Sequence, residues 1–218
     1  MSLAADLWAA SADQADAALR HPFVRALGDG SLCREAFQGY VAQDAFFLDC
    51  FARAYGLALA CCTEPASVAA FTDLLAGVRD ELRLHASYAE AWGVDMTRVS
   101  PLPATSAYTD FLLETAGLGD VGLTCAAMTP CMRLYAYLGS SLDPEAAGPY
   151  GEWVRTYADV GFEHLAASLE ALLDRHAQDT PEVRGAYRRA MDLELGFFDA
   201  AGAQAPGRGA ASGGAGTR

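Results

Sequence analysis

Apolar residues recur every three or four positions along most of this chain, and the pattern is broken almost only by proline and glycine. Phe37, Tyr40, Val41, Phe47, Leu48, Phe51 and Tyr55 show the spacing most clearly. That period places the apolar side chains on one face of an α-helix. Alternating apolar–polar runs bounded by hairpin turns are missing, so the chain reads as all-α. Ser31, after the Gly28-Asp29-Gly30 turn, is the expected N-cap of a helix running to about Cys62. Pro65 opens the next, to about Trp92 before Gly93, and Pro101 and Pro103 precede one that stops at Gly117. Another is expected from Val121 to Leu138, stopping at Gly139. Pro144 begins a stretch that breaks near Gly161 and resumes to His176. Thr180 as N-cap and Pro181 at the first helical position start the last helix, to about Ala201.

No internal repeat or change of composition divides residues 1–201, which are expected to form one helical domain. Residues 202–218 are rich in Gly and Ala and hold too little apolar surface to offset the entropy of ordering, so they are expected to be a disordered tail. The formal net charge is −13. A surface of that sign repels phosphate, which argues against nucleic acid or an anionic membrane as partner. No apolar run reaches the roughly 18 residues that a membrane helix needs, and the N-terminus has no basic segment followed by an apolar one. The six cysteines, lying mostly within apolar helical patterns, are expected to be reduced thiols of a cytoplasmic protein.

Against this background the informative residues are polar ones on apolar stripes. Asp44 lies four after Tyr40 and three before Phe47, in the middle of a core face. Glu194 holds the same position on the last helix, between Tyr187, Met191 and Phe198. A carboxylate facing a core costs several kcal/mol unless it is paired or serves a site. Each could be a site residue or half of an ion pair with an arginine.

Cys131 follows Pro130 inside a helical segment, and Tyr135 lies one turn further on the same face. A proline there removes a backbone hydrogen bond, which distinguishes Cys131 from the other cysteines. Tyr108 and Tyr157 also fall on apolar stripes. His85 shares a face with Glu81 one turn before it, a spacing that can hold a metal, as can Glu163 or His164. The repeated Glu-x-x-His of di-iron bundles is absent.

Three segments resemble the TenA/thiaminase II family. The first contains His21-Pro22-Phe23-Val24, then Gly30-Ser31-Leu32, then Phe37 to Leu48. The second is Thr129-Pro130-Cys131 followed by Leu134 to Gly139, and the third is Glu194 to Ala201. The resemblance implies a haem-oxygenase-like helical bundle, assembled as a homotetramer and needing no cofactor. It implies hydrolysis of aminopyrimidines in thiamine salvage, releasing ammonia from 4-amino-5-aminomethyl-2-methylpyrimidine, with cleavage of thiamine in some members. By resemblance, Cys131 is the nucleophile and Glu194 the acid–base residue. Asp44 holds the aminopyrimidine edge, Phe47, Tyr108 and Tyr135 line the ring pocket, and Tyr157 supports it. Phe47 departs from the tyrosine that many relatives carry. Two other expectations compete: a di-iron oxidase using Glu81 and His85, and a non-catalytic pyrimidine-binding protein.

Overall fold

The computed structural model describes residues 2–92 and 99–203. Three short helices, α1 (Leu3–Ala10), α2 (Ala12–Leu19) and α3 (Pro22–Gly28), precede seven others. These are α4 (Arg34–Cys61), α5 (Pro65–Trp92), α6 (Pro103–Gly117), α7 (Val121–Ser141), α8 (Gly151–Tyr157), α9 (Val160–His176) and α10 (Pro181–Ala203). Among the described residues there is no β-strand, and no helix is long and apolar enough to cross a membrane. The expected tail from residue 204 onward, and Gly93, lie outside the described residues.

Helix α7 runs through the middle of the bundle. It packs on α9 and α10, on α8 and α6, and on α4, which itself lies between α5 and α6. Its side chains explain that position: Cys125, Ala126, Ala127, Met128, Leu134 and Leu138 are all buried, so apolar residues cover several faces rather than one stripe. Pro130 sits inside α7 without ending it.

Three expected boundaries differ from the structure, the first two for a local reason. The Ser31 hydroxyl donates to Asp29 Oδ1 at 2.5 Å, so it is consumed in the turn, where Gly30 takes φ +75°. The helix then starts at Arg34 behind Cys33, whose side chain makes no capping bond. Gly139 does not stop α7, which continues to Ser141. A Cβ at Gly139 would collide with the backbone of Tyr157 and Ala158. The glycine therefore allows close approach of α8, and so sets where Tyr157 stands. The last helix extends to Ala203, two residues past the expected end.

Candidate active site

Five helices bring the predicted residues to one place. Asp44 and Phe47 come from α4, Tyr108 from α6, Cys131 and Tyr135 from α7, Tyr157 from α8 and Glu194 from α10. Asp44, Phe47, Cys131, Tyr135 and Tyr157 line a single enclosed cavity, together with Glu81, Met132 and Phe162. Tyr108 and Glu194 stand just behind that wall.

Glu194 is 1% exposed and, among the described residues, pairs with no arginine. Its Oε1 accepts a hydrogen bond from the Tyr108 hydroxyl at 2.8 Å, and the carboxyl lies against the Cys131 thiol. Burial pushes the Glu194 carboxyl up to about 8, against the stabilising bonds from Tyr108 and Cys131. Burial likewise raises the Cys131 thiol, and the negative charges of Glu194, Glu81 and Asp44 raise it further. The resting thiol is therefore protonated, and a base must take its proton before it can attack.

Asp44 is paired, but with a histidine. His85 Nε2 lies 2.6 Å from Asp44 Oδ2, both groups buried, and His85 Nδ1 lies 3.0 Å from the Glu81 carbonyl oxygen. A carbonyl can only accept, so Nδ1 carries a proton, and the short contact at Nε2 needs a second one. The pair is an imidazolium on a carboxylate: Asp44 overcomes the cost of burial and His85 is raised to about 9. With Nε2 engaged by Asp44, His85 is not offered to a metal. Among the described residues no three His, Cys, Asp or Glu side chains are placed to hold one.

Glu81, on the same helix, was missed as a cavity residue because its sequence spacing suggested only a metal ligand. Its Oε1 accepts from the Tyr157 hydroxyl at 2.5 Å. Burial and the nearby Asp44 charge push its carboxyl up to about 7, with His85 opposing. The one signal in the sequence is the four-residue spacing that puts Glu81 and His85 on one face; that this face meets Asp44 is shown only by the structure.

Aromatic groups fix the remaining wall. Trp153 Nε1, which can only donate, gives its proton to the Tyr40 hydroxyl at 3.2 Å, and Tyr40 donates to Tyr135 at 3.3 Å. The Tyr135 hydroxyl proton is thus left for the cavity. Phe47 packs on Tyr108 with ring centroids 4.8 Å apart. His21, from the first of the recognisable segments, is structural: Nδ1 caps α3 at Phe23, and Nε2 meets Asp199 of α10 at 3.0 Å.

An outer groove of about 490 Å³ shares Glu81, Met132 and Phe162 with the inner cavity. By the same measure the inner cavity holds about 10 Å³, close to the room one water needs. A larger ligand requires a side chain of this partition to turn aside.

The TENA/THI-4/PQQC family model matches residues 8–203, nearly the whole described chain. The chain belongs to that family. It is 34% identical over 214 residues to the aminopyrimidine aminohydrolase of Halalkalibacterium halodurans, covering 92% of this chain and 96% of that one. It is 36% identical over 208 residues to the bifunctional TH2 protein of Arabidopsis thaliana, of which it spans 34%. Among solved structures, a TenA family transcription regulator from Silicibacter sp. is 28% identical, superposes with a TM-score of 0.85, and is covered over 96% of its length with 93% of this chain. A TenA homologue from P. horikoshii, 24% identical with a TM-score of 0.82, shares the fold over 94% of this chain and all of that one.

Proposed function

We propose that this TenA-family protein is an aminopyrimidine aminohydrolase of thiamine salvage. Its expected substrate is 4-amino-5-aminomethyl-2-methylpyrimidine, released as the hydroxymethyl pyrimidine and ammonia, with thiamine as a second candidate. The observation that carries the reading is the grouping of the Cys131 thiol and the Asp44 carboxyl on one enclosed cavity, with the Glu194 carboxyl against the thiol. Relatives named as aminopyrimidine aminohydrolases support it, including one matched over almost its full length.

Each group has a task that suits its surroundings. An aminopyrimidine does not lose its side-chain amine unaided. Addition of the Cys131 sulfur to a ring carbon breaks aromaticity and turns the exocyclic C–N bond into one the ring electrons can expel. Glu194, lying against the thiol, is its acid–base partner. Asp44, already engaged by His85 through Oδ2, keeps Oδ1 to accept from the amino group. Tyr135 has a hydroxyl proton for a ring nitrogen. Phe47, Tyr108 and Tyr157 would bound the flat faces and edge of the ring. Phe47 offers no hydroxyl, so the site has one hydrogen bond fewer than a tyrosine there would give.

The test is ammonia release on a panel of aminopyrimidines and thiamine. Cys131→Ser is expected to lower release at least ~1000-fold, because a hydroxyl is a poor nucleophile without a strong base. Cys125→Ser is expected to change it less than threefold. Six residues of helix rotate by about 600°, placing the two thiols roughly 120° apart, and Cys125 does not line the cavity. Full turnover by Cys131→Ser removes covalent catalysis and leaves carboxylates acting on water. The family resemblance also supports a cytoplasmic homotetramer without a cofactor, which light scattering of the purified protein tests as to assembly.

A further inference from the structure

Of the two carboxyls with raised proton affinity, Glu81 lines the inner cavity and Glu194 does not. Glu194 is covered, with Tyr108 on one side and the Cys131 thiol on the other. The inner cavity is bounded by Asp44, Cys131 and Glu81, with Glu194 standing behind the thiol. Glu81 also reaches the outer groove, so it stands at the neck between the chamber where a ring would sit and the space into which a substituent would leave. Asp44, the other cavity carboxylate, is already engaged through Oδ2 by the His85 ring.

We infer that Glu81 is a second catalytic residue, the acid that protonates the departing nitrogen, while Glu194 serves only the Cys131 thiol. The inference rests on the hydrolase reading above.

The steps balance as follows. Glu194 takes the thiol proton as the Cys131 sulfur bonds a ring carbon. The C–N bond breaks with the electron pair going to nitrogen, Glu81 gives that nitrogen a proton, and ammonia leaves. Water then adds at the exocyclic carbon and its proton goes to Glu81, restoring the acid. Finally the ring expels the sulfur, which recovers its proton from Glu194. The net change is amine plus water to alcohol plus ammonia.

Tyr157 makes Glu81 suitable for both directions, because its hydroxyl binds Oε1 and leaves Oε2 to carry the moving proton. The charged and titratable groups facing Glu81 are Asp44 from α4, His85 from α5, Cys131 from α7, Tyr157, Glu152 and Arg155 from α8, and Asp159 before α9. Those facing Glu194 are Tyr108 from α6, Cys131 from α7 and Asp44 from α4. Activity needs Glu194 ionised and Glu81 protonated, although Glu81 titrates at the lower pH, so the rising limb lies near the Glu81 value and the falling limb near that of Glu194. The two macroscopic limbs should enclose an optimum between about 7 and 8.

The experiment uses the full chain, with ammonia release as one readout and the rate of Cys131 alkylation by iodoacetamide as the other. Glu81→Gln is expected to lower ammonia release ~100-fold or more, to abolish the high-pH limb, and to leave the alkylation rate within about threefold. Tyr157→Phe keeps the carboxyl but removes the bond that lowers its proton affinity, so the low-pH limb, which follows Glu81, should move upward. Glu81→Gln with normal ammonia release overturns the inference, as does equal loss of alkylation, which would make Glu81 a support of the thiol. A Tyr157→Phe limb that stays in place also overturns it, and does so even if Glu81→Gln fails to fold. Wild-type protein that releases no ammonia from any aminopyrimidine refutes the hydrolase reading itself, a distinct result.

Discussion

The Glu194 corner and the Asp44 corner of the cavity are both buried carboxyls on apolar helix stripes, yet they are solved in opposite ways. Glu194 has neutral neighbours that can only share or donate a proton, a phenol and a thiol, so it answers burial by keeping its proton up to about 8. Asp44 has an imidazole 2.6 Å away and answers burial by forming an ion pair. The lesson is that an inward carboxyl in a sequence predicts a polar site but not its protonation. The nearest titratable neighbour decides that, and here the neighbour comes from another helix.

The comparison breaks first, and by the largest effect, at Glu194. Glu194→Gln keeps an acceptor for Tyr108 but cannot take a proton, and ammonia release is expected to fall ~100- to 1000-fold. Stability should move the other way with pH. Folding raises the Glu194 pKa from 4.5 to about 8, so the folded chain retains a proton that the unfolded chain loses. The stabilising contribution is complete below about 4.5 and disappears as pH rises through 8. Gln carries no such term. Melting curves at pH 5 and pH 8.5 should show the variant gaining on the wild type at the higher pH, by on the order of 2 kcal/mol after allowing for relaxation of the site. Equal differences at the two pH values would mean that Glu194 is ionised throughout.

At the other corner, Asp44→Asn is expected to raise KM for an aminopyrimidine ~10- to 100-fold, the loss of one charge-assisted bond, with a smaller change in kcat. It also leaves a buried imidazole without its counter-ion. Folding raises His85 from 6.5 to about 9, so the pair stabilises the fold fully below pH 6.5 and loses that contribution as pH climbs through 9. The melting-temperature deficit of Asp44→Asn should therefore be greatest near pH 6 and shrink toward pH 9.5. A deficit independent of pH would assign Asp44 a packing role. Normal affinity for the substrate would remove it from the proposed binding site.

The difference between the corners also marks what could be learned from the sequence. Asp44 and Glu194 were visible because each interrupts an apolar stripe, a property of one helix. So were Cys131 and Tyr135, one turn apart on α7. The helix starts at Pro65, Pro103 and Pro181 are legible because proline is tolerated in the first turn of a helix and disfavoured in its interior. What could not be read were contacts between helices. The Asp44–His85 pair joins residues 41 apart, and Glu81 meets Tyr157 across 76. No spacing rule spans such distances, so His85 and Glu81 looked like metal ligands. Gly139 was mistaken for a helix stop for the same reason, since its purpose lies in another helix.

Gly139 provides the smallest and most local test. Its missing Cβ is where the backbone of Tyr157 and Ala158 comes to rest against α7. Gly139→Ala improves intrinsic helix propensity by about 1 kcal/mol, so on helix grounds alone it should stabilise. The added methyl has backbone atoms in its way, and these yield less readily than the end of a side chain. Overpacking of this kind costs about 1–3 kcal/mol, so a net loss of roughly 1 kcal/mol is expected. The informative part is which corner suffers. Pushing α8 outward lengthens the Tyr157–Glu81 bond and leaves Tyr108–Glu194 alone. The variant should therefore shift the low-pH limb of the rate profile upward, with the high-pH limb moving less. A variant that is fully stable with both limbs in place would show that α8 can move without disturbing Glu81, and that the two corners are less separately built than their geometry indicates.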